Sequence, residues 1–262
     1  MTKKSFIKIF ICIFVFVLMI GFWIQYNTFS TVLYEDGTLM IEQRSLNKWI
    51  SQSNHGSIVK EYPSFKKHGY NFLSYGIKKP LWYDKREDIT SVQVATPISP
   101  SITAYWFYGL RNVEDIDVSN IDTSRTENMA YMFSKAGYNA KNVKVTGLSD
   151  WDTSNVTDMQ WMFRAAGADA DSFVLDKGLD HWDTSNVRIM VYMFDAAGEN
   201  AKTWKIGDLS NWDTSSLIAC SDMFTVYGEL NPNIDKKVYS CYEEFFEEAI
   251  KNARELGLNN LD

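Results

Sequence analysis

Between residues 121 and 224 one phrase is written four times: Ile121-Asp122-Thr123-Ser124, Trp151-Asp152-Thr153-Ser154, Trp182-Asp183-Thr184-Ser185 and Trp212-Asp213-Thr214-Ser215. Eleven residues after each start stands a Met-Phe pair, Met132-Phe133, Met162-Phe163, Met193-Phe194 and Met223-Phe224, and a glycine follows at Gly137, Gly167, Gly198 and Gly228. Successive Met-Phe pairs lie 30, 31 and 30 residues apart, and a fixed period in that range is the signature of a stacked array. A unit this short buries too few apolar side chains to offset the entropy of ordering itself, so each copy must lean on its neighbours. Matching side chains such as Phe133, Phe163, Phe194 and Phe224 are therefore expected to lie over one another as a continuous column.

Within residues 151–179 the pattern predicts one short helix and one short strand. Asp152, Thr153, Ser154 and Asn155 are turn and cap residues, able to satisfy the free amides of a starting helix. Met159, Met162, Phe163 and Ala166 then fall at i, i+3, i+4 and i+7, an apolar stripe of helical period, and Gly167 is placed to stop it. Phe173 and Leu175 alternate as a strand does, with Leu179 and Trp182 closing the unit, and Val143 and Val145 or Trp204 and Ile206 repeat the pattern in neighbouring copies. The expected fold class is an α/β repeat solenoid with one strand and one helix per copy.

The array has flanks. Ile89, Val92 and Val94, two prolines and the run 104–109 form a degenerate first copy, with Trp106-Phe107 standing where Met-Phe stands later. Upstream, Val32 and Tyr34 alternate before Asp36-Gly37 and Leu39 and Ile41 after it, the strongest short-range hairpin signal. Residues 239–256 read as an amphipathic C-terminal capping helix, with glutamates at its start and Lys251 and Arg254 at its end matching the helix dipole. At the other terminus Lys3, Lys4 and Lys8 precede an apolar run, residues 6–24 at its fullest, which reads as an uncleaved signal anchor or a cleaved secretory signal. The division expected is thus 1–30 signal anchor or transmembrane segment, 31–88 N-terminal cap region with the hairpin, 89–228 repeat solenoid, and 229–262 C-terminal cap. On that reading residues 31–262 are exported, giving a cell-surface single-pass protein, or a secreted one if the signal is cleaved.

Charge narrows the partners. Three of the 26 basic residues precede residue 31 and all 33 acidic ones follow it, leaving ten excess negative charges on the remainder. This opposes phosphate-driven nucleic-acid binding and docking on anionic lipid, so membrane contact is expected only through residues 6–24. Asp122, Asp152, Asp183 and Asp213 recur once per copy and suggest a calcium column. One carboxylate per copy supplies too few oxygens, however, and each is read as capping its own turn, with no metal or cofactor expected. Cys220 occupies the position of Met129, Met159 and Met190 and reads as a small core residue, with a Cys220–Cys241 staple as the alternative.

No nucleophile, base and orienting group are brought together by any recognisable motif; His181, the sole histidine of the array, varies with Asn120, Asp150 and Asn211 at its position. The chain is expected not to be an enzyme. If one face binds a ligand, the non-repeating strand-side residues Lys144, Thr146, Asp176, Lys177, Lys202 and Lys205 are the candidates. Alternatively Trp151, Trp182 and Trp212 form an exposed platform for stacking sugars, although a repeated tryptophan beside a strand reads more simply as core.

The phrases Trp151-Asp-Thr-Ser-Asn-Val-Thr-Asp-Met-Gln-Trp-Met-Phe and Trp182-Asp-Thr-Ser-Asn-Val-Arg-Ile-Met-Val-Tyr-Met-Phe resemble the repeat element of BspA-like leucine-rich-repeat surface proteins of bacteria. The flank is similar too, in Leu33-Tyr-Glu-Asp-Gly-Thr-Leu and Pro100-Ser-Ile-Thr-Ala-Tyr-Trp-Phe, so the likeness spans roughly residues 31–225. The resemblance implies a leucine-rich-repeat-like solenoid on a secreted or surface-attached protein that adheres to a host macromolecule, and it implies no catalytic residues. The array is short for that family, and an N-terminal anchor stands in place of a wall-sorting signal. The function expected is non-enzymatic binding of an extracellular protein or glycan, with a carbohydrate-binding module or a structural spacer as alternatives.

Overall fold

The computed structural model describes residues 28–43, 54–66, 79–175, 179–209, 211–226 and 229–230. Among the described residues ten strands run in chain order: β1 (Thr28–Tyr34), β2 (Thr38–Gln43), β3 (Ile58–Lys66), β4 (Ser91–Val94), β5 (Asp115–Asp117), β6 (Asn142–Thr146), β7 (Ser172–Leu175), β8 (Thr203–Lys205), β9 (Thr225–Val226) and β10 (Glu229–Leu230). The first eight form one sheet in the order β3-β1-β2-β4-β5-β6-β7-β8, while β9 and β10 pair with each other. β1 and β2 are antiparallel across the Asp36-Gly37 turn, with Val32 opposite Met40 and Leu33 opposite Leu39, and β3 lies antiparallel on the far side of β1. From β2 onward every neighbour is parallel, one strand per copy.

The strands alternate as a half-buried sheet must. Val92 and Val94, Val143 and Val145, and Phe173 and Leu175 point into the core, while Ser91, Lys144 and Val174 point away from it.

The helix expected in each copy does not form, and the α/β assignment is corrected to an all-β stack. Among the described residues there is no α-helix; the helical elements are two 3₁₀ turns, Tyr83–Lys85 and Leu148–Asp150. Where Met129 to Gly137 was expected to coil, the chain forms a ribbon of successive tight turns. Met129, Tyr131, Phe133 and Lys135 donate their amides forward, to the carbonyls of Asp158, Gln160, Met162 and Arg164 one rung on, at 2.8–3.0 Å. The intervening Met132, Ser134 and Ala136 donate back three residues, to Met129, Tyr131 and Phe133. Half of the amides a helix would use are thus committed to the next copy, and the pattern recurs from residues 159–165 onto 189–195 and from 190–194 onto 219–223.

The backbone signs this arrangement with left-handed residues: Tyr131 (φ 61°) and Lys135 (61°), Trp161 (59°) and Ala165 (53°), Tyr192 (54°) and Ala196 (54°). Gly137, Gly167 and Gly198 end each ribbon at φ 63°, 58° and 55°. There glycine is required twice over, by the backbone and by space, since a Cβ would lie 2.2 Å from Val143, 2.7 Å from Phe173 and 2.4 Å from Trp204 respectively.

Each rung therefore has a strand side and a ribbon side, with the core between them. Phe133, Phe163, Phe194 and Phe224 stack through that core at centroid spacings of 5.1, 5.3 and 5.4 Å, with ring planes within 4° of parallel. Buried Thr123, Thr153 and Thr184 tie the rungs at the corner, each hydroxyl donating to the carbonyl of Asp152, Asp183 or Asp213 one copy on.

Two expectations fall beyond what is described. The capping helix over 239–256 lies outside the described residues, as does the apolar run 6–24. Among the described residues no helix is long and apolar enough to cross a membrane, so the single-pass placement is corrected to that extent: the described residues supply no spanning helix for it.

Candidate functional site

The periodic tryptophans are core. Trp151, Trp182 and Trp212 are 4%, 3% and 8% exposed and stack on one another at 5.8 and 6.3 Å, with planes 13° and 1° apart. Two of their indole nitrogens are spent inside, Trp182 on the Leu148 carbonyl at 3.0 Å and Trp212 on that of Leu179 at 2.9 Å. A ring held this way offers no face to a sugar, so the glycan platform is corrected to a second core column beside the phenylalanines.

The strand-side candidates share the outer face of the sheet. Strand register places Asp115, Lys144, Val174 and Lys205 in one line across β5 to β8. Lys144 and Lys205 are exposed and Thr146, two residues further along β6, is half-buried. Lys202 stands just before β8 and pairs with Asp171 at 2.8 Å; the pairing holds the ammonium pKa up and the carboxyl below its ordinary value. Asp176 and Lys177 lie outside the described residues. The face brings together Lys144, Thr146 and Lys205, with the two lysines alternating with Asp115 and Val174 along the line, and among the described residues it forms no convergent polar site.

At the corner, Asp122, Asp152 and Asp183 each accept the amide and the hydroxyl of the serine two residues on, and Asp213 accepts the amide of Ser215. These are turns closed by side chains. The hydroxyl and then the amide of Ser185 hold the Asp183 carboxyl below its ordinary range. No three His, Cys, Asp or Glu residues among those described converge where an ion could sit. Beside this corner Asn155, Thr157, Asn186, Arg188 and Ser216 line a shallow open concavity. Cys220 is a buried free thiol whose pKa burial raises; Cys241 lies outside the described residues.

The ribbon face holds what the sequence reading missed. Immediately before the first three Met-Phe pairs stands an aromatic residue, Tyr131, Trp161 or Tyr192, with Asp222 in that place before the fourth, and Tyr105 precedes Trp106-Phe107 in the same way. All four aromatics are half-buried, and their rings touch in series at 4.5, 5.0 and 5.3 Å. Tyr108 packs edge-on against Tyr105 and Tyr131 and stacks on Tyr83, extending the row. Burial leads the causes that push the Tyr105, Tyr108 and Tyr131 hydroxyls up; at Tyr192 the leading cause is the charge of Asp222. These hydroxyls stay protonated at neutral pH. The aromatic at a fixed offset from Met-Phe was the legible signal, hidden because a helix would have made those positions unremarkable surface.

Residues 102–237, just over half of the chain, match the family model described as "Mycoplasma protein of unknown function, DUF285". The match does not extend to a BspA-like leucine-rich-repeat identification. No curated protein and no solved structure matches the chain.

Proposed function

The chain belongs to the DUF285 family, and on that premise we propose that it is a non-enzymatic repeat protein whose stack presents a long, regular face to a macromolecular partner. The observation that carries this reading is the in-register parallel ladder, which across β5 to β8 lines up the non-repeating outward side chains Asp115, Lys144, Val174 and Lys205 at one per rung, roughly every 4.8 Å. Extended surfaces of this kind are what stacked repeats use for binding. The likeness of the Trp-Asp-Thr-Ser and Met-Phe elements to those of BspA-like surface proteins supports adhesion as the specific role. A protein partner is favoured over a glycan, because the tryptophans that would have stacked on sugars are packed inside.

The test is a binding screen of the full chain against immobilised extracellular-matrix proteins and a glycan array. Saturable binding to a protein is expected. Silence on both would leave a structural spacer as the better reading.

A further inference from the structure

The two core columns end at the fourth copy. Phe224 is stacked on Phe194 at 5.4 Å and Trp212 on Trp182 at 6.3 Å, with planes 2° and 1° apart. Each end ring thus has one face on the preceding copy and the other turned away from the array. A face turned away in this manner lies in water unless some other part of the chain covers it. Yet the fourth rung is sealed. Leu217 is 2%, Cys220 and Met223 3% and Phe224 4% exposed, little different from the 0% of Val187, Met190, Met193 and Phe194 at the same positions one copy earlier.

No fifth copy does the sealing. After Phe224 the chain holds neither tryptophan nor methionine, so neither repeated phrase recurs. The parallel pattern also breaks there, because β9 and β10 pair antiparallel, Val226 opposite Glu229 and Thr225 opposite Leu230. A stack of this kind grows by keeping its strands parallel, whereas an antiparallel turn sends the chain back on itself. These two short strands are too small to cover side chains that run from the corner at Trp212 to the ribbon at Phe224. Of the long stretches outside the described residues, 231–262 is the one tethered at this end. Residues 1–27, 44–53 and 67–78 adjoin β1, β2 and β3, and β1 lies six strand spacings from β8, roughly 29 Å.

The sequence of 231–262 fits the task. Tyr242, Phe245, Phe246, Ala249 and Ile250 recur at one periodic spacing, with Glu243, Glu244, Glu247 and Glu248 between them. Such spacing reports which side chains go inside, whatever the backbone does. One apolar side and one acidic side is what a stack requires at its end, since the terminal unit must cover the core and show water a polar surface.

We propose that residues 231–262 close the end of the array, laying the aromatic side of 242–250 on Trp212, Leu217, Cys220, Met223 and Phe224 and turning the glutamates to solvent. The closure bears on assembly. A bare fourth rung would offer its apolar columns and the edge of β8 to another copy, as open sheet edges do. With the end covered, the array stops at the copies written in the sequence.

Cys220 reports on the seal, because a buried thiol reacts only when its surroundings open. The chain holds three cysteines, so Cys12→Ser with Cys241→Ser leaves Cys220 as the sole thiol of the full chain. Its alkylation by N-ethylmaleimide is timed under native conditions by mass spectrometry, with and without Phe245→Asp and Phe246→Asp. We expect the two added charges to speed alkylation at least tenfold. A second pair of chains carries Cys220→Ser and Met159→Cys, which moves the thiol to the same position two copies inward, and there we expect less than a twofold change. Equal rates at Cys220 with and without the aspartates overturn the proposal. An equal rise at both positions overturns it too, since the segment would then support the whole stack and not its end. If the aspartate chains do not fold, Tyr242→Ser with Ile250→Ser is read on the same two thiols: a threefold rise confined to the end rung supports the proposal, and no such rise overturns it.

Discussion

The three stacked tryptophans differ at a single atom. Trp182 and Trp212 donate their indole N–H to a carbonyl of the preceding copy, whereas the buried Trp151 nitrogen meets no acceptor among the described residues. Trp182→Phe therefore removes volume and a hydrogen bond, while Trp151→Phe removes similar volume and an unsatisfied donor. The first variant should be the less stable by about 1 kcal/mol, the usual net worth of one such bond, as measured by denaturant unfolding of both. Ionisable groups divide in the same way. Burial first, and then the charges of Asp169 and Asp195, raise the Glu199 pKa above its ordinary value. For an acid raised on folding, ionisation works against the fold, so stability falls as pH rises from the unfolded pKa through the folded one. Glu199→Gln should raise the melting temperature at pH 7, and the gain should vanish below about pH 4, where both side chains are neutral. A gain that persists at pH 3 would assign the effect to something other than charge.

At the scale of the element, the ribbon is where sequence and structure part. The alternations Val143/Val145 and Phe173/Leu175 are legible because a side-chain period of two has one common cause, a pleated strand with one face buried. The stripe Met159, Met162, Phe163 and Ala166 has two causes. A helix buries residues at that spacing, and so does a ribbon whose tight turns recur about every four residues. Hydrophobic spacing reports which side chains go inside and says nothing about where the amides go. In a helix they stay within the segment; here the neighbouring copy competes for alternate ones and wins, because it offers carbonyls in register along the whole ribbon. The hairpin at Asp36-Gly37 was legible for the opposite reason, as its turn chemistry is local. The aromatic row was visible as a fixed offset before Met-Phe, but its place on an outer face depends on the ribbon. Lys135→Gly and Ala196→Gly discriminate between the two conformations by sign. In a helix interior each would cost about 1 kcal/mol. At φ 61° and 54° each relieves a left-handed strain of about 1–2 kcal/mol, which outweighs the added freedom of glycine in the unfolded chain. Thermal unfolding should show both variants at least as stable as the parent.

Across the whole molecule, stability lies between copies as much as within them. The phenylalanine and tryptophan columns, the corner threonines and the forward-donating amides all cross from one rung to the next. What the array exposes is then a consequence of what it stacks. The sheet face displays Lys144, Thr146 and Lys205, the ribbon face displays the aromatic row, and neither exists in a copy taken alone. That dependence of neighbour on neighbour is the central claim, and a double-mutant cycle between Phe163→Leu and Phe194→Leu measures it directly. Rings stacked at 5.3 Å should show an interaction energy of at least about 0.5 kcal/mol, while Phe133→Leu and Phe224→Leu, roughly 15 Å apart by strand spacing, should be additive. Additivity at the adjacent pair, with the two losses simply summing, would contradict the stack.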